Sequence, residues 1–160
     1  MRPSVYFALG VAAAAAGCSS RQIDVASPAP VPAALGPATA SSVPVERLIG
    51  SWGVASYREE KDRARTEAQA RSFCNRPYVI ERGPSDGVMM HVNDDTKKYE
   101  LTLKGAGGKT YLGFDAPPGH DQDRELLSIS DNQFVLRYIN PEINTRYGTF
   151  IYVRCGQRRA

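Results

Sequence analysis

The chain has 160 residues, of which 42% are hydrophobic and 23% are charged, and its formal net charge is +3 at pH 7. This composition predicts one globular domain and excludes a wholly disordered chain. Acidic and basic residues are interleaved without a basic block, so no nucleic acid partner is expected.

Residues 1–17 have the pattern of a cleaved export signal. Arg2 supplies a positive charge, and an uncharged stretch from Val5 to Gly17 follows it. This stretch matches the apolar region of a signal peptide and is shorter than the roughly 20 residues of a membrane-spanning helix. The sequence therefore predicts that residues 1–17 are removed from an exported protein.

The end of this segment, Ala15-Ala16-Gly17-Cys18, resembles the lipobox of bacterial lipoproteins, with alanine where a bulky aliphatic residue is usual. The resemblance implies cleavage before Cys18, a diacylglycerol on its sulfur and a further acyl chain on the new amine, which together anchor the protein in a membrane. Ser19 stands where lipoproteins retained in the inner membrane often carry aspartate. The resemblance therefore favours the outer membrane, with the domain facing the periplasm. The alternative is an ordinary secretory signal with an incidental cysteine.

Residues 18–44 form a segment rich in alanine, proline, serine and valine, without apolar periodicity. Because proline removes hydrogen-bond donors and favours extended conformations, this segment is predicted to be a disordered tether. It would hold the folded domain, residues 45–156, away from the membrane, and residues 157–160 are a short tail.

Two cysteines remain beyond Cys18. Cys74 and Cys155 are 81 positions apart. In the oxidising compartment that an export signal implies, an isolated pair is expected to form a disulfide. A metal pair or a reactive cysteine, the alternatives, would need neighbouring ligands that the sequence does not offer.

The folded domain contains eight short segments typical of β-strands, separated by turn signals. These segments are residues 52–57, 78–82, 88–92, 98–104, 110–114, 125–130, 133–139 and 146–154. Residues 58–72 carry helix formers and Glu-to-Arg pairs four apart, which predict a surface helix after the first strand with Ala64, Ala68 and Phe73 as its apolar side. The fold class is therefore mainly β, an antiparallel eight-stranded meander able to close into a small barrel. A β-sandwich and an open sheet are the alternatives.

Gly50-Ser51-Trp52, at the start of the first strand, resembles the Gly-x-Trp motif of lipocalins and related calycin barrels. In that family the indole closes one end of an eight-stranded barrel. A late arginine stacks on it, a role for which Arg137 and Arg154 are the candidates. The resemblance implies a calycin-like barrel that can enclose a small molecule, and a plain core role for Trp52 is the alternative.

Aromatic and methionine side chains could line such a barrel, although a packed core is the alternative role for each. Trp52, Tyr99 and Phe134 are the candidate ligand-binding residues. The wider set of wall candidates adds Tyr78, Met89, Met90 and Tyr111.

Motifs for catalysis, cofactors and metals are weak. The run from Lys104 to Thr110 looks like a phosphate loop, but Leu103 stands where its first glycine belongs, so a hairpin turn is expected. His120, with Asp121 and Asp123, is expected in a solvated loop and not in a metal site. The sequence has no Gly-x-Ser-x-Gly elbow. We therefore expect a protein that is not an enzyme and has no cofactor.

Two functions fit these observations. The first is a barrel that binds a small apolar or amphipathic ligand. The second is an interaction protein, either a subunit of an envelope assembly or a relative of the barrel-shaped periplasmic protease inhibitors. An internal pocket would favour the first, and a filled barrel with a large exposed apolar patch would favour the second.

Overall fold

A computed structural model describes residues 39–156. Within this range it contains nine β-strands and two α-helices. The strands are β1 (Thr39–Ala40), β2 (Gly50–Tyr57), β3 (Tyr78–Arg82), β4 (Val88–His91), β5 (Lys98–Ala106), β6 (Lys109–Gly113), β7 (Arg124–Ile129), β8 (Gln133–Tyr138) and β9 (Thr149–Arg154). The α-helices are α1 (Arg63–Ser72) and α2 (Pro141–Tyr147), and short 3-10 helices occupy Val45–Arg47, Glu60–Asp62 and Phe73–Asn75.

Strands β2 to β9 form a closed antiparallel barrel, in which each strand pairs with the next one in the sequence. The barrel closes at β2, where Trp52 lies opposite Tyr78 of β3 and opposite Arg154 of β9. The predicted eight-stranded antiparallel meander is confirmed, and the sandwich and open-sheet alternatives are excluded. Strand β1 is an addition, pairing Thr39 with Gly105 of β5, and it lies in the segment predicted to be a tether.

The last predicted strand was too long at its start. Residues 141–147 form α2, and β9 begins only at Thr149. The side chain of Asn140 caps α2 by accepting hydrogen bonds from the amides of Glu142 and Ile143, and Pro141 occupies the first turn. Tyr147 close to Phe150 favoured a strand in the sequence, but the Asn-Pro-Glu capping signal decides the local structure.

Helix α1 follows the first barrel strand as predicted, but the side facing the barrel differs from the prediction. Ala64 and Ala68 are exposed, and Phe73 beyond the helix is 40% exposed. The buried residues of α1 are instead Thr66 and Ala70. With alanines on several sides of a charge-rich helix, the sequence pattern does not identify the contacting side.

A close approach of backbones fixes α1 against the outside of the barrel. A Cβ atom added to Gly53 of β2 would lie 1.9 Å from the carbonyl oxygen of Ala70. Ala70 is fully buried and packs with residues such as Tyr57 and Ile151 on the outer side of β2 and β9. The Cys74–Cys155 disulfide, which confirms the predicted pairing, ties the segment after α1 to the end of β9 with a Cα–Cα distance of 5.4 Å.

A larger apolar core lies inside the barrel. Its most deeply buried aromatic part lies at the end where β2 begins, which we call the closed end. Trp52 is fully buried there, and its Nε1 donates a hydrogen bond to the carbonyl of Leu48 at 2.8 Å. Phe134 packs edge-on against Trp52 at a centroid distance of 4.6 Å and stacks on Tyr152 at 4.2 Å.

Of the two candidate arginines, Arg154 is the one that stacks on the tryptophan. Its guanidinium carbon lies 4.1 Å from the centre of the Trp52 ring. Its three nitrogens donate to the carbonyls of Asp131, Ile49 and Arg47, which joins β9 to the segment that covers the closed end. Arg137 is on the outside of the barrel.

Candidate functional site

The barrel interior contains a cavity of about 150 Å³ at its other end, which we call the open end, where β8 leads into α2. Its walls include the apolar side chains of Val54 and Phe150. Four phenol rings also line it: Tyr78, Tyr138, Tyr147 and Tyr152. An apolar wall with a few polar groups is the usual lining of a small-molecule site.

The lining residues come from strands β2, β3, β4, β7, β8 and β9, from the loop after β4 and from α2. Successive side chains of a strand point to opposite faces, so only alternate residues of each strand reach the cavity. Phe150 and Tyr152 of β9 are two positions apart and both face inward, whereas Ile151 between them packs outside with α1. On β2, Trp52 fills the closed end, and Val54 lines the cavity one inward position later. The inward-facing residues of β2 thus belong to the core at one end of the barrel and line the cavity at the other end.

Tyr78 and His91 form a hydrogen-bonded pair in the cavity wall. The Tyr78 hydroxyl accepts from the backbone amide of His91 at 2.9 Å and lies 3.2 Å from the Nδ1 atom of that residue. Burial raises the pKa of Tyr78, although the amide of His91 and the charge of Arg124 oppose this rise. Burial likewise raises the pKa of Tyr152. Both phenols are therefore neutral at pH 7.

Arg124, the first residue of β7, places a positive charge in the cavity wall. The residue is only 4% exposed. Its Nη2 donates to the carbonyl of His91 at 2.8 Å, and its guanidinium carbon lies 4.8 Å from the centre of the Tyr138 ring. Its Nε is buried and has no hydrogen-bond partner within residues 39–156.

The carboxylates on either side of Arg124 in the sequence are engaged elsewhere. Asp123 is fully buried, and its Oδ1 accepts from Nζ of Lys104 at 2.7 Å. Glu125 points to the outside of the barrel, where it pairs with Lys109 and Arg137. Among residues 39–156, no carboxylate pairs with Arg124, and none of the described residues that line the cavity is acidic.

Asp123 departs from the solvated loop predicted at residues 119–123, because it is fully buried, whereas Gly119, His120 and Asp121 are exposed. Oδ2 of Asp123 accepts from the amides of Gly119 and His120, and Lys104 also donates to the carbonyls of Phe114 and Ala116. The pair thus fixes the long loop between β6 and β7. The sequence did not reveal this, because both residues are of types that are usually exposed.

Helix α2 is tied across the rim of the open end. The side chains of Arg146 and Tyr147 both donate to Oδ2 of Asp94, in the loop between β4 and β5, at 2.6 and 2.8 Å. Tyr147 thus lines the cavity while it is held by the opposite loop.

The structure does not bring the three candidate ligand-binding residues together at this cavity. Trp52 and Phe134 are fully buried in the closed end. Tyr99 donates a hydrogen bond to Asp95 and lines a separate, more open depression beside Phe114. Contact of these residues with a ligand stays a prediction. Of the wider set of wall candidates, Tyr78 lines the cavity.

Sequence reasoning missed most of the cavity lining, including His91, Arg124, Tyr138 and Phe150. One signal was present: Phe150 and Tyr152 alternate with Ile151 and Val153, as expected of a strand with two packed faces. No sequence signal marked Arg124 as buried, because arginine is mostly exposed and its inward direction depends on the register of β7 with β8.

Metal-ligand clusters and membrane-spanning helices are both lacking among the residues that the structure describes. No group of three or more His, Cys, Asp and Glu side chains within residues 39–156 is placed to hold a metal ion. In the same range, no helix has both the length and the apolar character required to cross a bilayer. Comparison with protein-family models, curated proteins and solved structures gives no significant match.

Proposed function

We propose that this chain is a lipid-anchored cell-envelope protein whose barrel domain binds a small apolar or amphipathic molecule in the cavity at the open end. The cavity carries this proposal, because it is enclosed by the barrel, lined by apolar and aromatic surface, and provided with a few polar groups. A non-enzymatic role is part of the proposal.

The cavity volume limits the size of the ligand. About 150 Å³ is smaller than the few hundred Å³ of typical drug-sized sites and accommodates a molecule about as large as a benzene ring. The closed end is filled by Trp52, Phe134 and their neighbours, so a long chain does not fit along the barrel axis without repacking. The ligand is therefore compact.

The exposed surface gives less support to an interaction protein. The large apolar side chains exposed within residues 39–156 are Phe73, Val79 and Leu127, each at about 40%. They lie on three different elements, after α1, on β3 and on β7. An interaction site of the usual kind would need a contiguous apolar patch.

Anchoring of this domain in a membrane is proposed from the sequence of the leader alone, which lies outside the described residues. Growth of a Gram-negative host with labelled palmitate tests it on the full chain. We expect the label on the wild-type protein and its loss in Cys18→Ala. Equal labelling of both proteins would contradict lipidation and leave an ordinary secretory signal.

Ligand binding is tested on the full chain, purified in mild detergent from the envelope of the host. Solvent extraction of the protein followed by mass spectrometry should release a small molecule that a detergent blank lacks. Val54→Trp fills the cavity and should abolish this release. Val79→Trp makes the same change on the exposed side of β3 and should retain it. No released molecule, or equal release from both variants, would contradict binding in the cavity.

A further inference from the structure

We infer that the molecule bound in this cavity is a compact organic carboxylate, held by the guanidinium of Arg124. This inference rests on the proposed function and adds the chemical class of the ligand. The observation behind it is a cation buried in the cavity wall without a counter-charge.

The protein leaves the hydrogen-bonding capacity of Arg124 largely unused. A guanidinium carries several N–H donors, and within residues 39–156 the only hydrogen bond from this one runs from Nη2 to the His91 carbonyl. Its Nε is buried and has no hydrogen-bond partner among the described residues, and Arg124 as a whole is only 4% exposed. The Tyr138 ring contacts the cationic centre and takes up no N–H donor.

No described group neutralises the charge of Arg124. The nearby carboxylates form ion pairs with other residues. Asp123 pairs with Lys104, and Asp94 at the rim pairs with Arg146. Glu125 pairs with both Lys109 and Arg137. A charge removed from water is unfavourable unless it is paired and hydrogen-bonded. An anion entering through the open end would supply both the opposite charge and the missing acceptor.

Carboxylate is the anion that best fits the dimensions and lining of the cavity. It is planar and can accept two N–H donors from a guanidinium, and Arg124 gives only one hydrogen bond, from Nη2, to a described residue. Its organic part would contact Val54 and Phe150, the apolar section of the wall. Given a volume of about 150 Å³, that part is about as large as one aromatic ring or a short branched chain.

The first test needs no variant. Isothermal titration of the wild-type full chain, stripped of bound molecules and held in detergent, compares benzoate with benzamide, which has nearly the same shape and no charge. We expect benzoate to bind about 10- to 100-fold more tightly, since hydrogen bonds to charged groups are the stronger kind. Equal affinities, or binding of neither probe, would overturn the inference.

The second test assigns the selectivity to Arg124. Arg124→Met should reduce benzoate affinity about tenfold or more and leave benzamide affinity unchanged, which also reports that the cavity is intact. Arg124→Lys, which keeps the charge with a different donor geometry, should recover part of the loss. Arg137→Met, outside the barrel, is the matched control and should bind benzoate as the wild type does. A similar loss in Arg124→Met and Arg137→Met would overturn the assignment.

The molecule extracted from the envelope-purified protein separates this inference from the proposed function. A released carboxylate, with occupancy reduced in Arg124→Met, supports both. A released neutral molecule overturns the inference and leaves ligand binding standing. If nothing is released and benzoate does not bind, both fail.

Discussion

Replacement of Arg154 by methionine should destabilise the barrel by about 3 kcal/mol. The change removes three hydrogen bonds, from Nε to the Asp131 carbonyl at 2.7 Å, from Nη1 to the Ile49 carbonyl at 3.1 Å and from Nη2 to the Arg47 carbonyl at 2.8 Å. Each contributes about 0.5–1.5 kcal/mol net where water can replace the donor. The contact with the Trp52 ring at 4.1 Å adds about 0.5–1 kcal/mol.

This loss is large beside the roughly 5–15 kcal/mol by which folded domains are stable. Methionine keeps much of the aliphatic volume over the indole. The loss of stability therefore measures the contribution of the guanidinium and not the creation of a cavity. Arg154→Lys, which retains the charge but offers a single nitrogen, should fall between the wild type and Arg154→Met.

Urea denaturation of the oxidised protein, followed by the fluorescence of Trp52, measures the effect. With a slope of about 1–3 kcal/mol per molar urea, a loss of about 3 kcal/mol should lower the midpoint by about 1 M or more. Arg137→Met is the control, because it removes an arginine from the outside of the barrel, where Arg137 pairs with Glu125. Glu125 keeps its second ion pair, with Lys109, so the loss should be about 0–1 kcal/mol and the midpoint should move little.

Equal midpoints for Arg154→Met and Arg137→Met would refute the reasoning. They would mean that the hydrogen bonds from Arg154 to the segment before β2 are replaced by water at no cost. The contact between Arg154 and Trp52 would then be a consequence of the barrel geometry that adds no stability to the fold.

Removal of the disulfide by Cys74→Ser with Cys155→Ser should lower the free energy of unfolding by up to about 4–5 kcal/mol, because its 81-residue loop restricts the unfolded chain; an unchanged urea midpoint would contradict this. Gly53→Val should displace α1, because the new Cβ would lie 1.9 Å from the carbonyl oxygen of Ala70. Proteolysis within α1 should therefore be faster than in the wild type. The control Ala64→Val, on the exposed side of α1, should be cleaved at the wild-type rate. Burial raises the pKa of Glu125, but hydrogen bonds from two basic side chains outweigh this effect and hold the pKa below the ordinary value of a glutamate. The stabilisation from Glu125 is therefore present above that value and lost as pH falls through the lower, folded-state pKa. The difference in Tm between the wild type and Glu125→Gln should shrink towards acid pH, and a constant difference would argue against it.

Much of the fold could be predicted from local patterns in the sequence. The alternation of Tyr99, Leu101 and Leu103 with polar residues in β5 predicted a strand with one buried face, and these side chains do pack against the barrel core. Short turns between consecutive strands predicted neighbours in the sheet, and Gly107 and Gly108 form such a turn with positive φ values. Turn chemistry and period-two patterning act over a few residues, so they can be recognised in a single sequence.

The disulfide was also predictable, for a reason that does not depend on the fold. Once Cys18 is set aside for the predicted lipid, Cys74 and Cys155 are the two cysteines left in a chain that is predicted to be exported. The pairing follows from their number and from the expected compartment.

The cavity lining could not be predicted, since it depends on contacts between residues far apart in the chain. Arg124 belongs to β7 and reaches the carbonyl of His91 in β4. Tyr147 is the last residue of α2, at a position where the sequence pattern predicted a strand. The tilt and register of strands around a closed barrel bring these residues together, and no short stretch of sequence specifies that tilt and register.

By itself, the sequence determined the strand periodicity, the turns, the cysteine pairing and the Gly50-Ser51-Trp52 start of the barrel, because each follows from short-range chemistry or from composition. Tertiary structure alone decided which arginine stacks on Trp52, which side of α1 meets Gly53, and that Arg124 is buried without a counter-charge. These properties arise only when the barrel closes, since closure turns alternate residues of distant strands towards one interior and removes them from water.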